Sequence, residues 1–131
     1  MAEFSKLHVW RKAHALALNV YRVATGIRKS DHASLRKQMI RAAMSVPANI
    51  VEGRGQASER EFIRFLRYAV NSSSELEYHV VIARDIQAIG LNDAKSLLDQ
   101  VIEFRRMLYG LIKSVSNRAP SHMRLSDVPT Q

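Results

Sequence analysis

Between Ala57 and Ile89 the chain contains neither glycine nor proline. Such a run lacks the two residues that most often end a helix, so it predicts one helix of about 30 residues, roughly 45 Å long at 1.5 Å per residue. Ser58 and Glu61 open it as a capping box, S-x-x-E, in which each side chain satisfies a free backbone donor. Phe62, Phe65, Leu66, Ala69, Leu76, Val80 and Ala83 recur with helical period and form its core stripe. In the middle, NSSSE at 71–75 sets small side chains where large ones would stand, which lets a neighbouring helix approach closely.

The preceding stretch, Gln38–Gly55, reads QMIRAAMSVPANIVEGRG. Met39, Ala42, Ala43, Val46 and Ile50 fall on one helical face, and Arg41, Ser45, Asn49 and Glu52 form a polar stripe at the same spacing. Pro47 removes the bond from its own nitrogen to the Ala43 carbonyl, so a kink is expected. Gly53 and Gly55 are expected to close this second helix, which starts near His32 with Asp31 as its N-cap, by taking the left-handed conformation.

A first helix is expected from Leu7 to about Ile27, with Trp10, Ala13, Leu16, Ala17, Val20, Tyr21 and Ala24 on one side. After the long third helix, Gly90 and Asn92 are expected to make a tight turn into a fourth, about Asp93–Ser116, in which Leu97, Leu98, Val101, Ile102, Leu108, Leu111, Ile112 and Val115 are apolar. The sequence divides into a helical domain at 1–116 and a tail at 117–131, whose two prolines and lack of periodicity predict flexibility. Four helices with short connections predict an all-α, antiparallel, up-and-down four-helix bundle.

Net charge bears on partners. The whole chain carries +8 and has a sequence pI near 10.3, a field that attracts polyanions. Residues 1–57 hold ten Lys and Arg against Glu3, Asp31 and Glu52, a net of +7, whereas 58–131 hold ten basic and nine acidic side chains, a net of +1. The first half is therefore expected to meet the anion. No cysteine is present, which removes thiol catalysis and zinc–cysteine sites. No apolar run reaches the roughly 20 residues that span a bilayer, and no signal-peptide pattern begins the chain, so a soluble, cytoplasmic protein is expected.

With the helices placed, SVPANIVEGRG followed by SEREFIRFLRYAVNSSSELE resembles the bacterial four-helix-bundle proteins first noticed as products of intervening sequences in large-subunit ribosomal RNA genes. The lead-in FSKLHVWRKAHALA is also similar to the start of that family, so the resemblance covers about residues 4–115. The positions matching its motif are Arg41, Ser45, Asn49, Glu52, Gly53, Ser72 and Glu75; Val51 stands where alanine is usual and Asn71 where glycine is common. The resemblance implies a compact antiparallel bundle that assembles into a ring-shaped homopentamer. The accessory variability determinant proteins of diversity-generating retroelements are similar in fold, and their basic pentamer associates with a reverse transcriptase and nucleic acid.

Among candidate residues, Arg41, Ser45, Asn49, Glu52, Ser72 and Glu75 are read as a structural polar network between the second and third helices, because an unpaired buried charge costs several kcal/mol and must find partners. Glu75 and His79 are four apart, but the repeated Glu-x-x-His pairs of di-iron bundles are absent, so neither a metal nor another cofactor is expected. Gly53-Arg54-Gly55 lacks the Walker lysine and a preceding strand, and no serine sits in a nucleophile motif; no enzyme is expected. Arg11, Lys12, Arg22, Arg28, Lys29, Arg36, Lys37 and Arg41 form the candidate phosphate-contacting surface. Few aromatics are interleaved with them, which points to backbone contact without sequence reading. Trp10, Tyr21, Tyr68 and Tyr78 exceed what a thin bundle hides, so some are expected at subunit contacts. The expected protein is a non-enzymatic homo-oligomer binding nucleic acid, RNA before DNA, with an oligomeric scaffold for a protein partner as the alternative.

Overall fold

A computed structural model describes residues 7–118. Four helices follow one another: α1 at His8–Thr25, α2 at Ala33–Arg54, α3 at Glu59–Asp85 and α4 at Leu91–Arg118. A single 3-10 turn at Ser30–His32 precedes α2, and no strand occurs among the described residues. The molecule is an all-α four-helix bundle. Each helix packs on the next in the chain, and α1 also packs on α4, which closes the bundle.

The core forms where the apolar stripes meet. Leu16 and Val20 of α1, Met39 and Ile50 of α2, Leu66 and Leu76 of α3, and Phe104 and Leu108 of α4 are all fully buried. Each such side chain stabilises the fold by about 1.5–3 kcal/mol relative to leaving it in water. Val9, Val23, Ile63, Val70 and Phe104 also enter this core, though they fall outside the stripes read from the sequence. Conversely Tyr21 and Ile102 are exposed, and Trp10, Phe65, Leu98 and Leu111 are half-buried.

Several helix ends differ from expectation for local reasons. The cap before α2 is His32, which makes no side-chain capping bond, and Asp31 lies inside the 3-10 turn, whose tighter winding uses up the position it was expected to cap. Ser58 does cap α3, its hydroxyl accepting from the Glu61 N–H at 3.1 Å, while the Glu61 carboxylate turns to Arg64 instead of back to Ser58. At the other end of α3 the left-handed residue is Gln87, with φ 63°, and not Gly90. The Ala88 N–H reaches back to the Ala83 carbonyl at 2.8 Å, the wrapped ending that a left-handed residue permits. Gly90 instead offers its carbonyl to the Ala94 N–H, so α4 begins at Leu91 and Asn92 falls within its first turn.

The two glycines of the second helix also behave differently from expectation. Neither has a positive φ; Gly55 caps α2 at φ −80°, and Gly53 is a buried residue inside the helix. Pro47 likewise stands within α2, which runs continuously from Ala33 to Arg54. Helix α4 continues past the expected boundary to Arg118; the remaining tail, and the lead-in before Leu7, lie outside the described residues.

Candidate nucleic-acid interface

Four candidate cations gather where α1 hands over to α2. Arg22 lies in the last turn of α1, Arg28 and Lys29 lie in the connection, and Lys37 follows the first turn of α2. All four are exposed, and no carboxylate among the described residues pairs with them. Asp31 stands in the same connection as the nearest acid in sequence. The short connection keeps these side chains at one end of the bundle, so their fields add where solvent has free access.

The other four candidates are placed differently. The Arg36 guanidinium donates to the Ile27 carbonyl at 2.7 Å, bracing the connection from the α2 side. Lys12 pairs with Glu103 of α4 at 2.9 Å, and Arg41 pairs with Glu75 of α3. Arg11 is exposed on the first turn of α1, away from the connection. Arg36, Lys12 and Arg41 therefore have partners within the bundle that compete with a phosphate.

The polar stripe between α2 and α3 divides into two parts. Ser45 and Ser72 share a hydrogen bond between their hydroxyls at 2.7 Å, and the Asn49 amide donates to the Ser45 carbonyl at 2.8 Å and to its hydroxyl at 3.1 Å. Nearer the α1–α2 connection, the Arg41 Nε donates to Gln38 at 3.1 Å, and His79 approaches the Glu75 carboxylate at 3.4 Å. The Arg41 and Glu75 side chains are 56% and 41% exposed, so this pair lies at the solvent edge and pays little desolvation. Glu52 stays outside: it is exposed, and its backbone carbonyl accepts from the Gln56 amide and the Gly55 N–H. The register carried on from the Arg41–Glu75 and Ser45–Ser72 pairs brings Glu52 toward Arg64, but that guanidinium is held by Tyr68 at 2.7 Å and by Glu61.

Neither resolved pKa shift removes a positive charge near neutrality. The Tyr68 hydroxyl beside Arg64 raises the guanidinium further, with Glu61 adding to it, and the hydrogen bond that the Lys95 ammonium donates to Asp99 raises the ammonium. Both cations therefore stay charged wherever the protein is folded near pH 7. Among the described residues, no group of three His, Asp or Glu could hold a metal ion, and no helix is long and apolar enough to cross a membrane.

A second surface is apolar. A groove of about 510 Å³ runs between α1 and α2, with Trp10, Leu18 and Tyr21 on one wall and Met44, Pro47 and Val51 on the other. Leu18, Tyr21 and Met44 are about half exposed, and the His14 ring stacks on Trp10 with centroids 5.0 Å apart. Exposed apolar side chains gathered in one concave place mark a contact site more often than scattered ones do. At the end of α2, Arg54 lies over the Phe62 ring at 5.1 Å, a packing role that the charge count did not suggest.

Sequence reading also passed over Arg60, Arg67, Arg106 and Lys113. Their signal is the seven-residue spacing within each pair, two turns of one helix face. It was masked because the second half sums to nearly zero, although seven of its eight described acids are already in ion pairs, Asp93 being the exception.

This bundle has solved counterparts. A protein of unknown function from the S23 ribosomal protein family of Bacteroides thetaiotaomicron has a similar fold, with a TM-score of 0.75 at 24% identity; the match covers 80% of this chain and 98% of that one. No curated protein matches the chain. The family model described as 23S rRNA-intervening sequence protein matches residues 5–110, most of the bundle and both halves of the polar stripe, and the chain belongs to that family.

Proposed function

We propose that this protein is a non-enzymatic, cytoplasmic, homo-oligomeric bundle that binds nucleic acid, RNA before DNA, by phosphate contacts. The observation that carries the reading is the group Arg22, Arg28, Lys29 and Lys37, exposed at one end of the bundle without carboxylate partners. Unneutralised cations held close together release counterions when a phosphate backbone replaces them, which is the driving term of sequence-independent binding. An antiparallel, up-and-down arrangement is supported by the pairings of α2 with α3, where Arg41 meets Glu75, Ser45 meets Ser72 and Gly53 approaches Phe62: as one number rises the other falls.

Assembly into a ring, a homopentamer as the family resemblance implies, is supported by the apolar groove between α1 and α2, which has the surface composition of a subunit contact. A ring would repeat the basic end once per copy and multiply weak contacts into a strong field. The same groove supports the alternative reading, a scaffold that docks a protein partner.

The test is a double charge reversal, Arg28→Glu with Lys29→Glu, measured for binding to a labelled RNA at low salt. The expected result is a loss of affinity of tenfold or more, about 1.4 kcal/mol, with an unchanged melting curve. Unchanged affinity would overturn the assignment of the basic end. Capture of one specific protein after nuclease treatment, with no RNA binding, would establish the scaffold reading instead.

A further inference from the structure

We propose that the outward face shared by α3 and α4 is a binding track for single-stranded nucleic acid, in which Arg60, Arg67, Arg106 and Lys113 contact phosphates while Tyr78 and Tyr109 stack on bases. The inference rests on the reading of the protein as a nucleic-acid binder, and adds to it a second surface and a strand preference.

Helix geometry puts these residues together. Arg60 and Arg67 are seven apart on α3, and Tyr78 is eighteen beyond Arg60, so all three fall on one face after two and five turns. On α4, Tyr109 stands between Arg106 and Lys113, three residues from one and four from the other. The two helices are fixed side by side at three points: Glu59 with Arg118 at 3.8 Å, Glu77 with Arg105 at 2.7 Å, and Ser74 with Arg105 at 3.5 Å. Between those points, the α3 residues from 59 to 77 lie beside the α4 residues from 105 to 118. Lys113 and Arg67 therefore come to the same level, with Tyr109 next along the face and Arg106 beyond it. From Arg60 to Tyr78 the track is about 27 Å long at 1.5 Å per residue.

Its charge is not cancelled. Glu59 and Glu77, the acids nearest this face, are held by Arg118 and Arg105, Glu61 is held by Arg64, and Glu103 is held by Lys12. Arg60, Arg67, Arg106 and Lys113 have no carboxylate partner among the described residues. Arg67 is half-buried, its Nε is buried without a hydrogen-bond partner, and no carboxylate among the described residues takes up its charge. Arg60, Arg106 and Lys113 are exposed.

The tyrosines decide the class of ligand. Tyr78 is 63% exposed and Tyr109 49%, although neither ring is needed in the core. Tyr109 stands between two cations and Tyr78 at the end of the track; an aromatic face open to solvent beside cations is the arrangement on which unpaired bases stack, and it is sequence-tolerant because every base has such a face. A duplex keeps its bases stacked on each other and offers them no such partner. At the α1–α2 end, by contrast, the one exposed tyrosine, Tyr21, lines the apolar groove, and the cations of the connection suit a phosphate backbone of either form.

The experiment compares a labelled oligouridine strand with a duplex RNA of equal length. Wild type, Arg106→Glu with Lys113→Glu, and Tyr78→Ala with Tyr109→Ala are measured, with the Arg28→Glu, Lys29→Glu variant as reference. The charge reversal is expected to weaken single-strand binding at least tenfold and to reduce the slope of log affinity against log salt by about 1.4. The tyrosine variant is expected to weaken single-strand binding about fivefold or more, leaving duplex binding unchanged. Single-strand affinity unchanged in either variant would overturn the proposal, and so would an equal loss for strand and duplex in the tyrosine variant. Failure of wild type to bind either RNA would remove the nucleic-acid reading altogether. Loss confined to the Arg28→Glu, Lys29→Glu variant would leave that reading standing and remove this one alone.

Discussion

A Cβ atom placed on Gly53 would lie 2.7 Å from the Cβ of Phe65, closer than two such atoms approach in a folded protein. The same atom would stand 3.1 Å from the Phe62 ring and 3.3 Å from its backbone carbonyl. The glycine is there because α2 and α3 touch backbone to backbone beside their shared loop. Gly53→Ala gains about 0.5–1 kcal/mol of helix propensity but forces the helices apart, a strain of about 1–3 kcal/mol. A net destabilisation of about 1–2 kcal/mol is expected, read as a lower urea midpoint with an unchanged slope.

Gly110→Ala is expected to have the opposite sign. Gly110 is exposed within α4, and a Cβ there meets nothing within 4 Å. Only the propensity gain remains, so stability should rise by up to about 1 kcal/mol. The pair of variants separates helix propensity from packing in one denaturation series.

Ser45→Ala is expected to cost about 1 kcal/mol, because it leaves the half-buried Ser72 hydroxyl without its partner and takes an acceptor from Asn49, and Ser72→Ala is expected to cost less, because the Ser45 hydroxyl keeps the Asn49 amide at 3.1 Å. The double variant should cost less than the sum, with a coupling of about 0.5 kcal/mol or more in a double-mutant cycle. Additive losses would mean that the two hydroxyls act independently.

Arg36→Ala is expected to behave as a stability variant. Its bond to the Ile27 carbonyl is charge-assisted and part-buried, so its loss should cost about 1–2 kcal/mol and lower the melting temperature. Arg28→Glu with Lys29→Glu should leave melting unchanged while reducing RNA binding. Equal melting of the two variants would remove the distinction between the brace and the binding end.

How much of this was legible in the chain depends on range. Ser58, three residues before Glu61 and ahead of an unbroken apolar period, marks the start of α3 to within a residue, because capping is a local interaction. The end of α3 was not legible: the left-handed position fell to Gln87, where only the wrapped backbone bond from Ala88 reveals it. Gly53 was misread for a related reason. A glycine that ends a helix and one that admits a neighbouring helix look the same until Phe65 is placed against it. The polar stripe predicted that Arg41, Ser45, Ser72 and Glu75 face one another, but periodicity could not show that Arg64 is engaged elsewhere and leaves Glu52 at the surface. Net charge pointed to the first half and hid the α3–α4 face, since a sum does not record which acids are already paired.

The most direct measurement is the affinity for a labelled RNA as a function of salt, on protein whose oligomeric mass is fixed by light scattering. The account predicts that an oligomer binds tightly at low salt and that log affinity falls steeply and linearly with log salt, in proportion to the phosphates neutralised. A flat salt dependence, or no binding at low salt, would contradict it.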